Sequence, residues 1–202
     1  MMKKSITILG TLVVMGSHVI AGGDIDVPTV ENGTQVTTDG SSFYAGIAMS
    51  AVSARDASKS MDFFDESTGQ DRLANVTFLA GYNYNPYLAL EGRYTTTFTD
   101  EDILEMDGWS LFVKPQYPLT ESFNVYALLG FGNVSLDPVS GSRIDLDDTG
   151  FQWGVGASYD FTDTVSVFFD YTNLANEMDG LYWNGALQID TDTLNLGVTY
   201  KF

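Results

Sequence analysis

Residues 191–202, TDTLNLGVTYKF, alternate apolar and polar side chains up to a terminal phenylalanine. Leu194, Leu196, Val198, Tyr200 and Phe202 fall on one face of an extended strand. Thr193, Asn195, Gly197, Thr199 and Lys201 fall on the other. Successive side chains of a strand point to opposite sides, so this segment divides an apolar medium from a polar one. Which medium lies where decides the fold. Lipid around a barrel puts the apolar face outside, whereas a soluble binding barrel puts it inside.

The same signature recurs along the chain. Candidate strands lie at 42–53, 73–84, 87–98, 108–119, 123–134, 149–161, 165–174 and 191–202. Each runs about 10 to 13 residues, which at ~3.3 Å per residue and a tilt of ~40° spans the ~25 Å apolar band of an outer-membrane barrel. Strands of soluble sandwiches are typically half that length. The connections alternate between tight turns (85–86, 120–122, 162–164) and long polar loops (54–72, 99–107, 135–148, 175–190). Transmembrane barrels show that asymmetry, with turns in the periplasm and loops outside, so both termini are expected on the periplasmic side. Aromatics gather near strand ends: Tyr82, Tyr84, Tyr117, Phe123, Tyr159, Phe161, Tyr200 and Phe202 at one level, Phe98, Trp109, Phe131, Phe151 and Trp153 at the other. Two interfacial belts have this form. Pro115 and Pro118 fit less well, because a closed barrel has no free edge for a missing donor; a bulge or an early end to pairing is expected there. Faces in the first and fifth strands stay ambiguous, since glycine, alanine and leucine occupy both registers.

Residues 1–21 read as a secretory signal, with Lys3 and Lys4 before a short apolar core and a small-residue cleavage site at Val19-Ile20-Ala21. Residues 22–41 are acidic, lack aromatics and read as a flexible segment, leaving 42–202 as one barrel. The chain carries 27 acidic against 9 basic residues, a net charge of −18. Loss of Lys3 and Lys4 makes the remainder more acidic still, which argues against nucleic acid as a partner. With no cysteine there is no disulfide framework and no thiolate chemistry.

With the apolar faces outward, the charges left on inward strand positions are Glu91, Arg93, Lys114, Asp160, Asp170 and Lys201. Equal numbers of acids and bases suggest pairing: Glu91 with Lys114, Arg93 with Asp170 across the lumen, Asp160 with Lys201 near the lower rim. An eight-stranded barrel is only wide enough for its own side chains, so a plugged interior is expected rather than an open channel.

Leader, eight strands, turn and loop alternation and the LNLGVTYKF ending together resemble the small eight-stranded outer-membrane barrel superfamily. That group includes the OmpA transmembrane domain, OmpX-type proteins and the opacity-type "porin family" barrels. The resemblance covers 42–202 and implies an all-β, eight-stranded antiparallel up-and-down transmembrane β-barrel in the bacterial outer membrane. It further implies that Tyr200 and Phe202 belong to a C-terminal assembly signal read by the barrel assembly machinery. Outer-membrane lipid and lipopolysaccharide are then the surrounding partners, and a monomer is expected.

Barrel enzymes of the outer membrane work through a histidine base. The only histidine here, His18, falls within the expected leader, so no catalytic residues are assigned. The loops are rich in acids: Asp100, Glu101, Asp102, Glu105 and Asp107 in one, Asp137, Asp145, Asp147 and Asp148 in another. Their spacing matches no calcium-loop pattern, so no metal or cofactor is expected and a hydrophilic coat is the favoured reading. Tyr182 and Trp183 in the last loop extend the outer aromatic belt or pack loop on loop. The expected function is non-enzymatic, in envelope structure or surface interaction. Its rivals are a narrow porin-like conduit for small solutes or ions, and a soluble periplasmic barrel of lipocalin type.

Overall fold

The computed structural model describes residues 41–58, 70–98, 104–138, 146–182 and 185–202. The expected leader (1–21), the acidic segment 22–41 apart from Ser41, and loop residues Asp100, Glu101, Asp102, Asp145 and Trp183 lie outside them. Eight strands follow in order: β1 (Ser42–Asp56), β2 (Gln70–Asn85), β3 (Leu88–Thr97), β4 (Leu104–Pro118), β5 (Phe123–Pro138), β6 (Leu146–Asp160), β7 (Val165–Tyr182) and β8 (Gly185–Lys201). Each pairs antiparallel with its chain neighbours, and β1 closes on β8 through pairs such as Ser50↔Asn195 and Ile47↔Val198. This is the eight-stranded antiparallel barrel that the alternation implies.

The apolar face is the outer one. Ile47, Met49, Leu111, Leu129, Phe131, Val155, Phe169, Leu196 and Val198 are all exposed on the outside wall, Leu196 at 58%. Large side chains so displayed are stable only against hydrocarbon, and a closed sheet leaves no unpaired backbone to meet it. A lipocalin-type barrel would need them inside. The ambiguous faces resolve as well. In β1, Tyr44, Ala48, Ser50 and Val52 point inward, and in β5 Tyr126, Leu128, Val134 and Leu136 do.

The lower turns share one device. Thr120 Oγ1 accepts the Phe123 amide at 2.9 Å, and Thr162 Oγ1 accepts the Val165 amide at 2.9 Å. Asn85 Oδ1 does the same for the Tyr87 amide at 2.8 Å. A side-chain oxygen that mimics a backbone acceptor lets the chain reverse in three or four residues without a left-handed glycine.

Three expectations change. First, the strands outrun their sequence signatures at the upper end. Segment 175–190, read as a loop, continues as a β7–β8 ladder to Tyr182↔Gly185. Alternation fails there as a signal because the polarity reverses: the interior becomes an apolar cluster of Val52, Leu73, Met106, Val134, Leu136, Leu174 and Ile189, while Glu105, Asp137 and Asp147 face out. Second, Pro115 produces neither a bulge nor an early end. Pairing between β4 and β5 skips Lys114 and Pro115 and resumes in the same register from Gln116↔Tyr126 to Pro118↔Asn124. The missing donor falls on the β5 side, since Gln116 N–H donates to Tyr87 on the other. Third, the bulges lie elsewhere, in β2–β3 at Asn83/Asn85 and in β7–β8 between Asn173 and Met178.

Leu196→Lys places a charge on the outside wall at mid-strand. It is expected to cost about 2–4 kcal/mol in urea unfolding of the barrel in lipid vesicles, whereas Leu196→Ile should lie within 1.5 kcal/mol of the parent.

Candidate functional site in the charged lumen

Two successive inward positions on β3 carry Glu91 and Arg93, and the barrel brings β4, β7, β1 and β5 against them. Arg93 Nη1 and Nη2 grip Asp170 of β7 from across the lumen at 3.0 and 2.7 Å. Its Nε donates to Glu91 Oε1 at 2.7 Å. Lys114 of β4 donates to Glu91 Oε2 at 2.9 Å. All four groups are at least nine-tenths buried, Asp170 completely. Two acids and two bases at such depth are tolerable only because charge is balanced and every carboxylate oxygen has a donor.

Side chains with no charge complete that balance. Tyr44 O–H donates to Glu91 Oε2 at 2.6 Å, and Tyr126 O–H to Asp170 Oδ2 at 2.8 Å. Asn195 Nδ2 donates to Asp170 Oδ1 at 2.7 Å. The cations also lie over rings: Arg93 is 5.7 Å from the centres of both Phe112 and Phe168, and Lys114 4.1 Å from Tyr126. Each tyrosine leans over a glycine on the neighbouring strand. Gly81 is the register partner of Tyr44 and Gly156 of Tyr126. A Cβ on Gly81 would overlap the Tyr44 ring, and one on Gly156 the Tyr126 ring and the Asp170 side chain. Glycine at these two positions is therefore a space requirement.

Above the ion cluster lies a belt of short polar side chains. Ser50 Oγ donates to Asn195 Oδ1 at 2.6 Å and lies 2.7 Å from Thr77 Oγ1, which is 2.7 Å from Thr95 Oγ1. Hydroxyls thus link β3 round to Asn195 and so to Asp170. Gln152 and Asn75 belong to the same belt, and both amide atoms of Gln152 and Oδ1 of Asn75 are buried without a partner. The apolar cluster of Val52, Leu73, Met106 and their neighbours sits above this belt. Below the ion cluster, a polar cavity of about 260 Å³ opens toward the lower rim between Glu91 and Lys114 above and Asn83, Gln116, Asp160 and Lys201.

Of the six inward charges singled out in the sequence, four meet in one cluster. Asp160 and Lys201 both line the lower cavity, but no ion pair joins them among the described residues; Asp160 accepts from Ser166 Oγ at 2.5 Å. Sequence reasoning missed Tyr44, Tyr126 and Asn195. A tyrosine opposite a glycine marks the first two, but only once register is known. It also missed a second cluster, on the outer wall near the upper aromatics. There Arg55 pairs with Asp192 and, at 3.0 Å, with Asp190. Tyr171 O–H and Asn173 Nδ2 donate to Asp192 Oδ1 at 2.5 and 2.8 Å. Among the described residues no group of three or more His, Cys, Asp or Glu side chains is placed to hold a metal ion.

An apolar wall, paired aromatic belts and a buried, charge-balanced lumen define an integral membrane β-barrel. The chain belongs to the outer membrane protein beta-barrel domain family, whose model matches residues 29–202. It is 30% identical over 110 residues to the virulence membrane protein PagC of Salmonella typhimurium, across 50% of this chain and 54% of that protein. The chain thus spans about half the length of that curated relative. Among solved structures it resembles Ail of Yersinia pestis, determined in complex with the heparin analogue sucrose octasulfate (20% identity, 80% of this chain and 97% of that one, TM-score 0.51). It is similar also to the Neisserial surface protein NspA (20% identity, 81% and 99%, TM-score 0.52). At these identities the two structures speak for the fold.

Arg93→Met leaves Glu91 and Asp170 without their shared counter-charge. Unfolding in detergent should show a loss of about 3–5 kcal/mol. Adding Asp170→Asn to it should recover part of that loss, since the variants touch one network and their effects are not additive.

Proposed function

We propose that this barrel is a non-enzymatic surface protein of the outer membrane, with a filled lumen that conducts no sustained ion current and an acidic outer end that engages partners. The observation carrying this reading is the stacking of two seals inside the wall. The Glu91–Arg93–Asp170–Lys114 cluster occupies the middle, and the apolar cluster around Met106 and Leu136 occupies the top. An ion crossing would have to break buried pairs and then pass an apolar constriction, with room for it in the cavity below them.

In this reading the turns and both termini face the periplasm, and the upper ends of the strands face outward. Lipid and lipopolysaccharide surround the wall, the chain acts as a monomer, and Tyr200 and Phe202 serve the assembly machinery as the C-terminal signal. Absence of a histidine outside the leader supports a role without catalysis. The charge at the outer end also narrows the partner. Ail was solved with a sulfated polyanion, whereas Glu105, Asp107, Asp137 and Asp147 crowd the upper outer wall here. A cation-rich partner fits that surface, and a sulfated polyanion does not.

Planar-bilayer recording of the purified, refolded chain tests the filled lumen: brief, rare events at most are expected, and steady large conductance would overturn it. Heparin resin at physiological salt should fail to retain the folded protein; retention would sink the charge argument. Deletion of Phe202 should slow membrane assembly in cells, read as accumulation of unfolded protein without the heat-shifted gel mobility of folded barrels.

A further inference from the structure

Two opposite charges at the lower mouth of the barrel face the same cavity without meeting. Asp160 of β6 and Lys201 of β8 both line the polar space below the ion cluster. β7 stands between their strands: Asp160 is the register partner of Ser166, and Ser166 that of Thr199. At ~4.8 Å per strand, the two backbones are set about 10 Å apart around the wall. Ser166 Oγ donates to Asp160 Oδ1 at 2.5 Å and holds that carboxylate on the β6–β7 side. Lys201 is fixed through its backbone, as the partner of Tyr44 on β1 and by an amide bond of 2.8 Å to Thr164. Among the described residues no ion pair joins Lys201 to any carboxylate. Two groups that would neutralise each other are thus held apart across an opening.

The rest of the cavity is matched already. Glu91 at its ceiling accepts from Arg93, Tyr44 and Lys114. On the walls, Gln116 Nε2 donates to Asn83 Oδ1 at 3.2 Å, and Asn83 Nδ2 to Ser42 Oγ at 3.1 Å. Asn124 and Ser158 add further short polar groups. The volume of about 260 Å³ equals on the order of eight waters at their liquid volume, room for a solute of about ten non-hydrogen atoms. Charge narrows which solute. The lining is neutral overall, with Glu91 and Asp160 against Lys114 and Lys201. A free anion would approach a chain of net charge −18, past Glu121 and Asp163 in the lower turns. A free cation would meet the two lysines inside. A neutral molecule with one charge of each sign escapes both penalties.

We propose that the lower cavity is a binding site for a small zwitterion of amino-acid type. Its ammonium sits on Asp160, its carboxylate on Lys201, and a polar side chain reaches up among Asn83, Gln116 and Asn124 toward Lys114. Both ends make charge-assisted hydrogen bonds, and the solute supplies the charge pairing that the spacing of β6 and β8 prevents. The ion cluster closes the cavity from above, so the site holds its ligand at the mouth. This goes beyond the surface role, because it concerns the opposite end of the barrel. In detergent its test depends neither on which side of a membrane the mouth faces nor on the acidic outer wall.

The test uses the folded full-length barrel, isotope-labelled, in a nonionic detergent, with glutamine as the probe. Titration followed by NMR should show saturable shifts confined to amides around the mouth, such as those of Ser158, Ser166 and Thr199. Two analogues each delete one end of the probe: glutaramic acid lacks the ammonium, and 4-aminobutanamide lacks the carboxylate. Each should bind about tenfold more weakly than glutamine, the loss of one charge-assisted bond at a partly wet site. Asp160→Asn and Lys201→Gln should each weaken glutamine by a similar factor, with the heat-shifted gel mobility unchanged. The analogues act on the unaltered barrel and keep the test decisive if a variant does not fold. No saturable shift at glutamine on the order of 100 mM, or an analogue that binds as tightly as glutamine, overturns the zwitterion site. Full affinity in both variants does the same. Binding accompanied by steady conductance in a bilayer would leave the site standing and remove the filled lumen alone.

Discussion

The structure depends on the absence of water around its wall. A backbone amide or carbonyl facing hydrocarbon has no partner but the chain itself, so a sheet that enters a bilayer must close. Closure explains the pairing of β1 with β8, and it explains why a proline in β4 is absorbed as a local gap with register preserved. It also dictates where polarity goes. With Ile47, Val155 and Leu196 spent on the outer face, the charged side chains at mid-membrane depth, Glu91, Arg93, Lys114 and Asp170, have only the lumen to enter. Eight strands leave little volume there. The charges are consequently pressed into contact, and contact without water demands neutrality.

That demand accounts for the form of the ion cluster. Arg93 is the residue able to serve two carboxylates at once, because a planar guanidinium offers donors in several fixed directions. Lys114 then completes Glu91, and Tyr44, Tyr126 and Asn195 take the remaining lone pairs. The two tyrosines reach the centre only because Gly81 and Gly156 leave room, so the electrostatics of the lumen depend on two residues without side chains. Above this level the problem inverts. The strands leave the hydrocarbon, acids move to the outside, and the interior is sealed by aliphatic packing of the kind found in soluble proteins. One barrel therefore contains two cores of opposite character. The bend in β7, held by Asp192, is where the regular ladder gives way to the irregular upper end.

Much of this was legible in the chain. Period-two alternation in β4, β6, β7 and β8 announced strands and faces, because a residue's side is a matter of parity alone. The charges Glu91, Arg93, Lys114 and Asp170 stood out because nothing else on those faces was charged. The upper halves of the strands were not legible. Once the outer medium becomes water, polar residues stand on both flanks of the pattern, and 175–190 reads as a loop although β7 and β8 pair through it. Tyr171 has the outward parity of Val167 and Phe169, and its hydroxyl reaches Asp192, an acid within the 191–202 segment whose outward parity gives no hint of that partner.

Sequence by itself determined the class: alternation, strand length and the turn rhythm allow little besides a closed barrel with its apolar face outward, since each depends only on local geometry and the medium. Tertiary structure decided everything that depends on register and shear. Which tyrosine lies over which glycine, which arginine spans to which aspartate, and where the β7–β8 ladder bulges are set by how strands slide past one another. No strand carries that offset within itself; it is fixed only when all eight close together.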